Sequence, residues 1–297
     1  MAFYSPNQVM QEYLVAQIKR LASNGRDGLL ERLSVTWIRY ANTAPVVGSG
    51  QGAAWGDQRL RYPASVVKLI YAMAVEAWLQ QDLLPEDPEL RRAMGDMIAD
   101  SSNDATGLIV DLLTGTTGGP ALQGEAWALW QRQRHLVNDW LRGLGWPELE
   151  AVNCCQKTWS DGPYGRERVF YGELLDNRNA LTTAATARAL EAVMTDGLLS
   201  PPACKRLRDL LARSLDPVQR AADPENQVDG FLGAGLPEGS KLWSKAGWMS
   251  QARHDAAWWC APDCSPVLLV VFSEGAACAK DGQLLPELAR ELAAFQG

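Results

Sequence analysis

The chain has 297 residues, of which 47% are hydrophobic and 21% charged, and its formal net charge is −7. This balance is typical of a soluble globular protein, and the length suffices for one large domain or two modest ones. A mildly acidic chain without runs of like charge lacks the basic patches that bind nucleic acid. We therefore expect no nucleic-acid partner. We also expect a small-molecule substrate and a monomer.

The first segment, "SPNQVMQEYLVAQIKRL" (5–21), has apolar residues at helical spacing, with Glu12, Lys19 and Arg20 among them. Those charges are typical of an amphipathic helix that packs on a protein body rather than of a secretion signal. The longest clean apolar run, 267–272, is too short to span a bilayer. We therefore expect a cytoplasmic protein that is not bound to a membrane.

Six cysteines are present, two of them adjacent, and their spacing forms no disulfide framework recognisable in a chain of this length. Cys260 and Cys264, with His254 nearby, are an alternative set of metal ligands. The strand-like surroundings favour buried reduced thiols instead. We expect no metal and no other cofactor.

The strand 33–40 comes after the first helix, and a glycine-rich turn, 47–57, leads to its partner strand. A long helical block follows, with prolines and glycines at the breaks. Residues 146–181 have little periodicity, and so long a loop is usually functional or disordered. The predicted helices are 65–81, 87–98, 101–113, 125–145, 182–196 and 201–213.

The end of the chain is β-like, with strands at 241–248, 253–261 and 266–274 before a final amphipathic helix, 284–295. Strands at both ends of the chain therefore enclose an all-helical middle. The fold class predicted is α/β (α+β), an antiparallel sheet flanked by terminal helices plus an all-helical lobe. Its domains are a discontinuous α/β lobe, 1–62 and 214–297, and a helical lobe, 63–213, that includes the long loop, with a cleft between the lobes.

Ser65 and Lys68 begin the first helix of this middle region, and residues three apart share a helix face. A serine becomes a nucleophile when a base takes its proton, and a lysine serves if burial keeps it partly neutral. The flanking residues are apolar all round, which indicates a buried helix. The alternative is Ser65 as a helix cap and Lys68 reaching solvent.

Two later groups have the same ambiguity when each is taken alone. Ser101 and Asn103 open a helix, where a hydroxyl relays protons and a carboxamide holds an amide, or where both simply cap the helix. Lys245 lies on a predicted strand near the end of the chain. It is either a positive charge that binds an anionic group or an ordinary exposed lysine. Gly247 would let a substrate backbone lie close to that strand.

Ser-x-x-Lys at a helix start, Ser-x-Asn after a further helix and Lys-x-Gly on a late strand occur here in one order. In that order and setting, the chain resembles the class A branch of the β-lactamase and penicillin-binding protein superfamily over nearly its whole length. "AGLPEGSKLWSKAGW" and "NALTTAATARAL" add to the resemblance. The resemblance implies the β-lactamase/transpeptidase-like fold predicted above.

The resemblance also implies catalytic roles. Ser65 would be the acylated nucleophile, Lys68 its base or proton relay, and Ser101 the donor of a proton to the leaving nitrogen.

Substrate-binding roles follow in the same way. Asn103 would bind the substrate's amide and Lys245 would attract its carboxylate. The backbone N–H groups of Ser65 and Trp248 would form the oxyanion hole, which stabilises charge that develops in the transition state. The ring of Trp248 would narrow the cleft.

The second and third motifs each depart from the family pattern. Ser102 stands where these enzymes usually have aspartate. Ala246 stands where they have a threonine or serine hydroxyl that binds the substrate carboxylate, and a charge-assisted bond of that kind is worth about 1.5–3 kcal/mol. Arg253 or His254 lies near the place of the family's carboxylate-binding arginine.

The deacylation base is ambiguous. The resemblance implies a glutamate in the long loop, and the loop offers Glu167 and Glu173. Glu167 is favoured because an arginine precedes it, although its distance from Thr182 is about three residues too long. The alternative is that both are surface carboxylates.

Two functions are open at this point. One is a serine acyl-hydrolase that forms an acyl-enzyme on Ser65 and hydrolyses a β-lactam or a related amide or ester. The other is a penicillin-binding-like or ligand-sensing relative that acylates slowly or not at all. The complete Ser/Lys/Ser/Asn/Lys set favours the first, whereas the missing hydroxyl at Ala246 and the ambiguous glutamate favour the second.

Overall fold

The computed structural model describes residues 3–296, and a seven-stranded sheet of order β1-β3-β2-β7-β6-β5-β4 lies at its centre. Neighbouring strands are antiparallel, except that the short β1 pairs with β3 in parallel. Both ends of the chain contribute strands, as the sequence predicts. The strands are β1 (Ser5–Pro6), β2 (Leu33–Arg39), β3 (Gln51–Trp55), β4 (Ala212–Arg213), β5 (Lys241–Met249), β6 (Ala252–Cys260) and β7 (Val267–Glu274).

The helices fall before, between and after these strands, and three short 3₁₀ turns accompany them. The α-helices are α1 (Gln8–Ser23), α2 (Leu29–Arg32), α3 (Val67–Gln80), α4 (Pro88–Ile98), α5 (Asn103–Thr114), α6 (Gly124–Arg134), α7 (Leu136–Gly143), α8 (Gly165–Tyr171), α9 (Thr183–Met194), α10 (Pro201–Leu211), α11 (Pro217–Ala222), α12 (Ala276–Lys280) and α13 (Leu284–Ala293). The 3₁₀ turns are Ala64–Val66, Pro147–Leu149 and Leu232–Gly235.

Each face of the sheet packs against a different set of helices. Alternate residues of a strand point to opposite faces, so Trp258 joins the core beneath the middle helices and Trp259 joins the core beneath α1 and α13. Helix α9 contacts β2, β6 and β7 on the first of these faces. The chain returns to the sheet at Ala212, two residues before the boundary predicted at 214.

Two stretches of the helical middle differ from their predictions. The helix expected at 125–145 is broken at His135 into α6 and α7. The long loop carries helix α8, and single β-bridges close its neck, Asn153 to Ala180 and Arg61 to Leu181. The segment is therefore an ordered excursion of the chain and not a structureless loop.

Strand β5 is covered over only part of its length, and this creates an open edge. Strand β4 pairs with Leu242 and Trp243, whereas β6 accompanies β5 throughout. Because backbone groups alternate in direction along a strand, the N–H groups of Ala246 and Trp248 point away from β6. Gln227 Oε1 accepts from Ala246 N at 3.3 Å on that side.

Among residues 3–296, every helix is either too short or too polar to cross a lipid bilayer. The six cysteines are free thiols. Cys264 is exposed and Cys260 half-buried, so the expected burial is wrong for Cys264. Both ring nitrogens of His254 are engaged by Tyr62 O and Ser273 N, which leaves neither free for a metal.

Candidate active site

Ser65 is held in a tight turn against strand β5. It lies in the 3₁₀ turn that precedes α3, and Ala64 before it has a φ of 47°, a left-handed conformation that few residues other than glycine adopt. A Cβ at position 247 would lie 2.8 Å from Pro63 O and 3.0 Å from Ser65 N. Gly247 is therefore required first by this backbone approach, whereas we expected it to admit a substrate backbone.

Lys68, in the first turn of α3, is fully buried. Its ammonium donates to Ser101 O at 2.5 Å, to Asn103 Oδ1 at 2.9 Å and to Ser101 Oγ at 3.3 Å. None of these partners is a carboxylate. Burial therefore lowers the pKa of Lys68 from 10.5 to about 7, so that much of it is a neutral amine at neutral pH.

Ser101 joins two buried lysines. Its φ of 58° is again left-handed, and its hydroxyl lies 3.3 Å from Lys68 Nζ and 3.0 Å from Lys245 Nζ. Burial, followed by the charges of Arg213 and Lys68, lowers the pKa of Lys245 well below its ordinary value. A hydroxyl between two amines of lowered pKa is suited to passing a proton from one side of the site to the other.

A cavity of about 350 Å³ opens at these residues, between the start of α5, the 223–231 segment and the open edge of β5. Five of the predicted site residues line it, whereas Lys68 and Lys245 lie behind the wall and reach it through Ser101. The lining is Ser65, Ser101, Asn103, Pro224, Glu225, Asn226, Gln227, Phe231, Ala246, Gly247 and Trp248.

Ser65 and Lys68 are not directly hydrogen-bonded within residues 3–296, since the bonds of Lys68 go to Ser101 and Asn103. Catalytic hydrogen bonds are often long or misaligned before substrate binds. The two side chains begin the same helical segment, and Ser101 lines the cavity beside Ser65. Ser101 therefore links the amine of Lys68 to the cavity that Ser65 lines.

Two backbone N–H groups face the same space. Ser65 N lies in the turn that presses on Gly247, and Trp248 N follows on the open edge of β5. Helix α3 begins directly after this turn, so its positive end adds to the field around Ser65. The arrangement provides two donors for an oxygen that becomes negative when Ser65 attacks a carbonyl.

The side chain of Trp248 forms a fixed rim. It is 60% exposed, yet its indole donates to Ala279 O at 2.9 Å. Arg253 lies over the Trp248 and Phe231 rings, 5.6 and 5.0 Å from their centroids. Trp248 therefore offers a rigid aromatic face beside the serine.

The structure places Arg253 and His254 away from the cavity wall, in contrast with their predicted substrate contact. Arg253 donates to Ala279 O at 3.0 Å and to Gly230 O at 3.2 Å. His254 is fully buried, and burial lowers its pKa to about 4. Backbone carbonyls thus hold two N–H groups of Arg253 and the Nε2 side of His254.

Glu167, the expected deacylation base, is also absent from the cavity lining, as is the exposed Glu173. Arg134 donates to Glu167 at 2.7 Å, and Lys157 lies 3.5 Å from its other oxygen. Burial raises the pKa of Glu167, and these two cations oppose the rise. The side chain is held in an ion-pair cluster because a buried carboxylate requires partners.

Gln227 is the site residue that the sequence does not reveal. Its amide donates to Ala99 O at 2.6 Å, and its Oε1 accepts from Ala246 N at 3.3 Å and from Lys245 Nζ. It therefore ties β5 to the end of α4 while lining the cavity. A glutamine in an aperiodic segment carries no pattern that would single it out.

Asp255 is a buried acid close enough to Lys245 to act on its charge. It opposes the fall in the pKa of Lys245, accepts from Leu232 N at 3.0 Å, and has one oxygen without a hydrogen-bond partner in the described chain. Burial raises the pKa of Asp255 to about 7. No carboxylate among residues 3–296 forms an ion pair with Lys68 or Lys245.

Comparison with solved structures identifies the class of fold. The chain is similar to a class A β-lactamase reconstructed as the last common ancestor of Gram-negative bacteria, with 22% identity, a TM-score of 0.64, and 95% of this chain and 98% of that one covered. It is similar to a β-lactamase from Xanthomonas campestris pv. campestris, with 20% identity, a TM-score of 0.65 and coverages of 97% and 100%. The fold is that of the class A β-lactamases.

A further similar structure is that of a mutant of PBP-A in an acyl-enzyme complex with penicillin G. Identity is 15%, the TM-score is 0.65, and the match covers 97% of this chain and 96% of that one. The family model of the beta-lactamase enzyme family matches residues 79–295, a segment that begins after Ser65 and Lys68. No curated protein matches. The chain belongs to the beta-lactamase enzyme family.

Proposed function

We propose that the protein is a serine acyl-hydrolase that forms an acyl-enzyme on Ser65 from a β-lactam or a related amide or ester. The observation that carries the proposal is the grouping of Ser65 and Ser101 in one cavity wall, backed by a buried Lys68 whose pKa is about 7. A surface lysine near a capped helix, the alternative to catalysis, would be exposed and charged. Lys68 is fully buried and lacks a counter-ion in the described part of the chain.

Acylation in this proposal exchanges one bond for another without a cofactor. The Ser65 Oγ–carbon bond forms at the substrate carbonyl, and the Ser65 proton passes to neutral Lys68. The carbon–nitrogen or carbon–oxygen bond to the leaving group then breaks. Ser101 delivers a proton to that leaving atom and is reprotonated by the lysines. The N–H groups of Ser65 and Trp248 stabilise the oxyanion in between.

A second candidate is a penicillin-binding-like protein that acylates and releases the acyl group slowly. The position of Glu167 favours it, because that carboxylate pairs with Arg134 and Lys157 and does not line the cavity. Hydrolysis of the acyl-enzyme needs a base for the attacking water. Without Glu167, that base has to come from the lysine pair, and deacylation becomes the slow step.

The test is a time course of intact mass with a chromogenic cephalosporin and with short-chain p-nitrophenyl esters. We expect an adduct on the wild-type chain that Ser65→Ala abolishes and that Ser250→Ala, in the exposed β5–β6 turn, retains. Steady product release identifies the hydrolase, and a persistent adduct identifies the slow-releasing protein. No adduct from any donor would exclude both.

A further inference from the structure

Lys245, the residue predicted to attract a substrate carboxylate, is already hydrogen-bonded to other groups of the chain. Its Nζ lies within hydrogen-bond distance of three acceptors of the chain, Ser101 Oγ, Ala246 O and Gln227 Oε1. The side chain is fully buried, so a substrate oxygen would reach it only by displacing one of these acceptors. A lysine poised for an incoming anion would keep at least one donor directed to the cavity.

The neighbouring positions offer acceptors or no polar group where a carboxylate needs donors. Ala246 carries no hydroxyl, and its backbone N–H is turned to Gln227 Oε1 at 3.3 Å. Gln227 lines the cavity, but its amide nitrogen donates to Ala99 O at 2.6 Å and Ile98 O at 3.3 Å. Its donors therefore face α4, and its oxygen lies on the lysine side. Arg253 is likewise committed to two carbonyls.

The rim of the cavity carries negative charge. Glu225 lines the cavity and is exposed, in a segment that also holds the exposed Asp223 and Asp229. Arg220 lies 3.3 Å from Asp229, but Glu225 has no ion-pair partner in the described chain. Like charges near a binding site suppress ligands of the same sign. An anionic substrate would meet this carboxylate before it reached Ser65.

We propose that the site selects acyl donors without a carboxylate beside the scissile bond, that is, neutral or cationic amides and esters, with the flat face of Trp248 as the apolar contact. The inference rests on the acyl-enzyme mechanism proposed above and specifies its substrate class. The bonds made and broken are those already given for Ser65. Selection results from the occupied Lys245, the missing hydroxyl at Ala246, the oxygen of Gln227 and the charge of Glu225.

A matched pair of donors tests the preference. Benzylpenicillin and its methyl ester differ only in the carboxylate, and their second-order acylation rates are measured by intact mass. We expect the ester to acylate the wild-type chain at least tenfold faster than the acid. Equal rates, or a faster acid, would overturn the preference and leave acylation of Ser65 standing. An adduct from neither would overturn the acyl-enzyme proposal and, with it, the preference.

Two charge reversals test the rim. Glu225→Lys and Glu238→Lys change the net charge equally, but Glu238 lies beyond the far end of β5 and outside the cavity lining. We expect Glu225→Lys to reduce the ester-to-acid rate ratio at least threefold and Glu238→Lys to leave it unchanged. Equal reductions in the two variants would show an effect of net charge and overturn the role of the rim.

Substitutions at position 246 test the effect of a hydroxyl with two side chains of similar shape. Ala246→Thr adds a hydroxyl, and Ala246→Val has nearly the same volume without one. We expect the threonine variant to acylate with the free acid at least fivefold faster than the valine variant, because a new donor reaches the carboxylate. Equal rates in the two folded variants, checked by thermal melting, would overturn the assignment of selectivity to the missing hydroxyl.

Discussion

Helix α5 contacts a different buried charge cluster at each end. At its start, Asn103 and the preceding Ser101 meet Lys68, which has no carboxylate partner within residues 3–296. Farther along, Asp111 meets Lys157 at 2.6 Å and Arg134 at 3.4 Å, and Glu167 joins both cations. One cluster leaves its lysines uncompensated, and the other matches two cations with two acids.

This difference distinguishes a cluster suited to proton transfer from a cluster that stabilises the fold. The paired charges fix the long loop to the helical lobe, whereas burial lowers the pKa of the unpaired Lys68 and favours its neutral, basic form. The comparison also shows where the structure places Glu167. Arg134 and Lys157 hold this loop carboxylate outside the cavity lining.

The largest expected effect is at the unpaired cluster. Lys68→Met removes the proton acceptor, and general-base catalysis contributes about 10²–10⁴-fold. We expect acylation, followed by intact mass, to slow by that factor. The free energy of unfolding, measured in urea, should stay unchanged or rise, because an apolar side chain of similar size replaces a desolvated amine. A marked loss of stability would mean that Lys68 is structural.

The paired cluster should respond in the opposite way. Arg134→Met leaves Lys157 as the one remaining cation shared by Glu167 and Asp111 in the described chain, and breaking a buried pair from one side costs about 3–5 kcal/mol. We expect a urea midpoint lowered accordingly, with the acylation rate per folded molecule within about twofold of wild type. A large fall in that rate would indicate that the two clusters are coupled through α5.

The pH dependence of acylation tests whether Lys68 acts as the base. Its pKa, about 7 in the folded protein, is lowered by burial, and the neutral amine is the active form. As the pH falls below 7, the protonated fraction grows, so the rate should fall about tenfold per unit. Above pH 8 it should level off. A rate that stayed flat between pH 5 and 7 would assign the proton transfer elsewhere.

The smallest effect is expected for Glu167→Gln. The substitution removes one acid from the paired cluster and should destabilise the fold. Because Glu167 does not line the cavity, the lifetime of the acyl adduct should change by less than about twofold. A lifetime lengthened tenfold or more would restore Glu167 as the deacylation base and require the loop to move. Glu173→Gln, at an exposed position, is the matched control.

The fold follows from the sequence to a large extent. The alternation of β2 and the helical periodicity of α1 and α13 are strong local signals, and strands at both chain ends indicate that the sheet is assembled from both. The two-residue strands β1 and β4 are too short to carry any periodicity. The break at His135 is also invisible, because both helices there have ordinary helix-forming residues.

The site is also only partly predictable, because some of its residues belong to recognisable motifs and others do not. Ser65, Ser101 and Asn103 carry spaced signals, and the structure brings them to one cavity. Gln227 could not be predicted, because its role depends on carbonyls at the end of α4 and on an ammonium of β5. Contacts between segments that are distant in sequence produce no pattern within either segment. The same holds for the pairing of Arg134 with Glu167, the predicted deacylation base.

The close fit of Gly247 against the Pro63–Ser65 turn has a consequence for the order of events in synthesis. The serine emerges from the ribosome early, but the strand that buttresses it comes near the end of the chain. The backbone amide of Trp248 arrives with that strand. In the mechanism proposed above, a nascent chain therefore lacks one of the two oxyanion donors beside Ser65 until β5 docks.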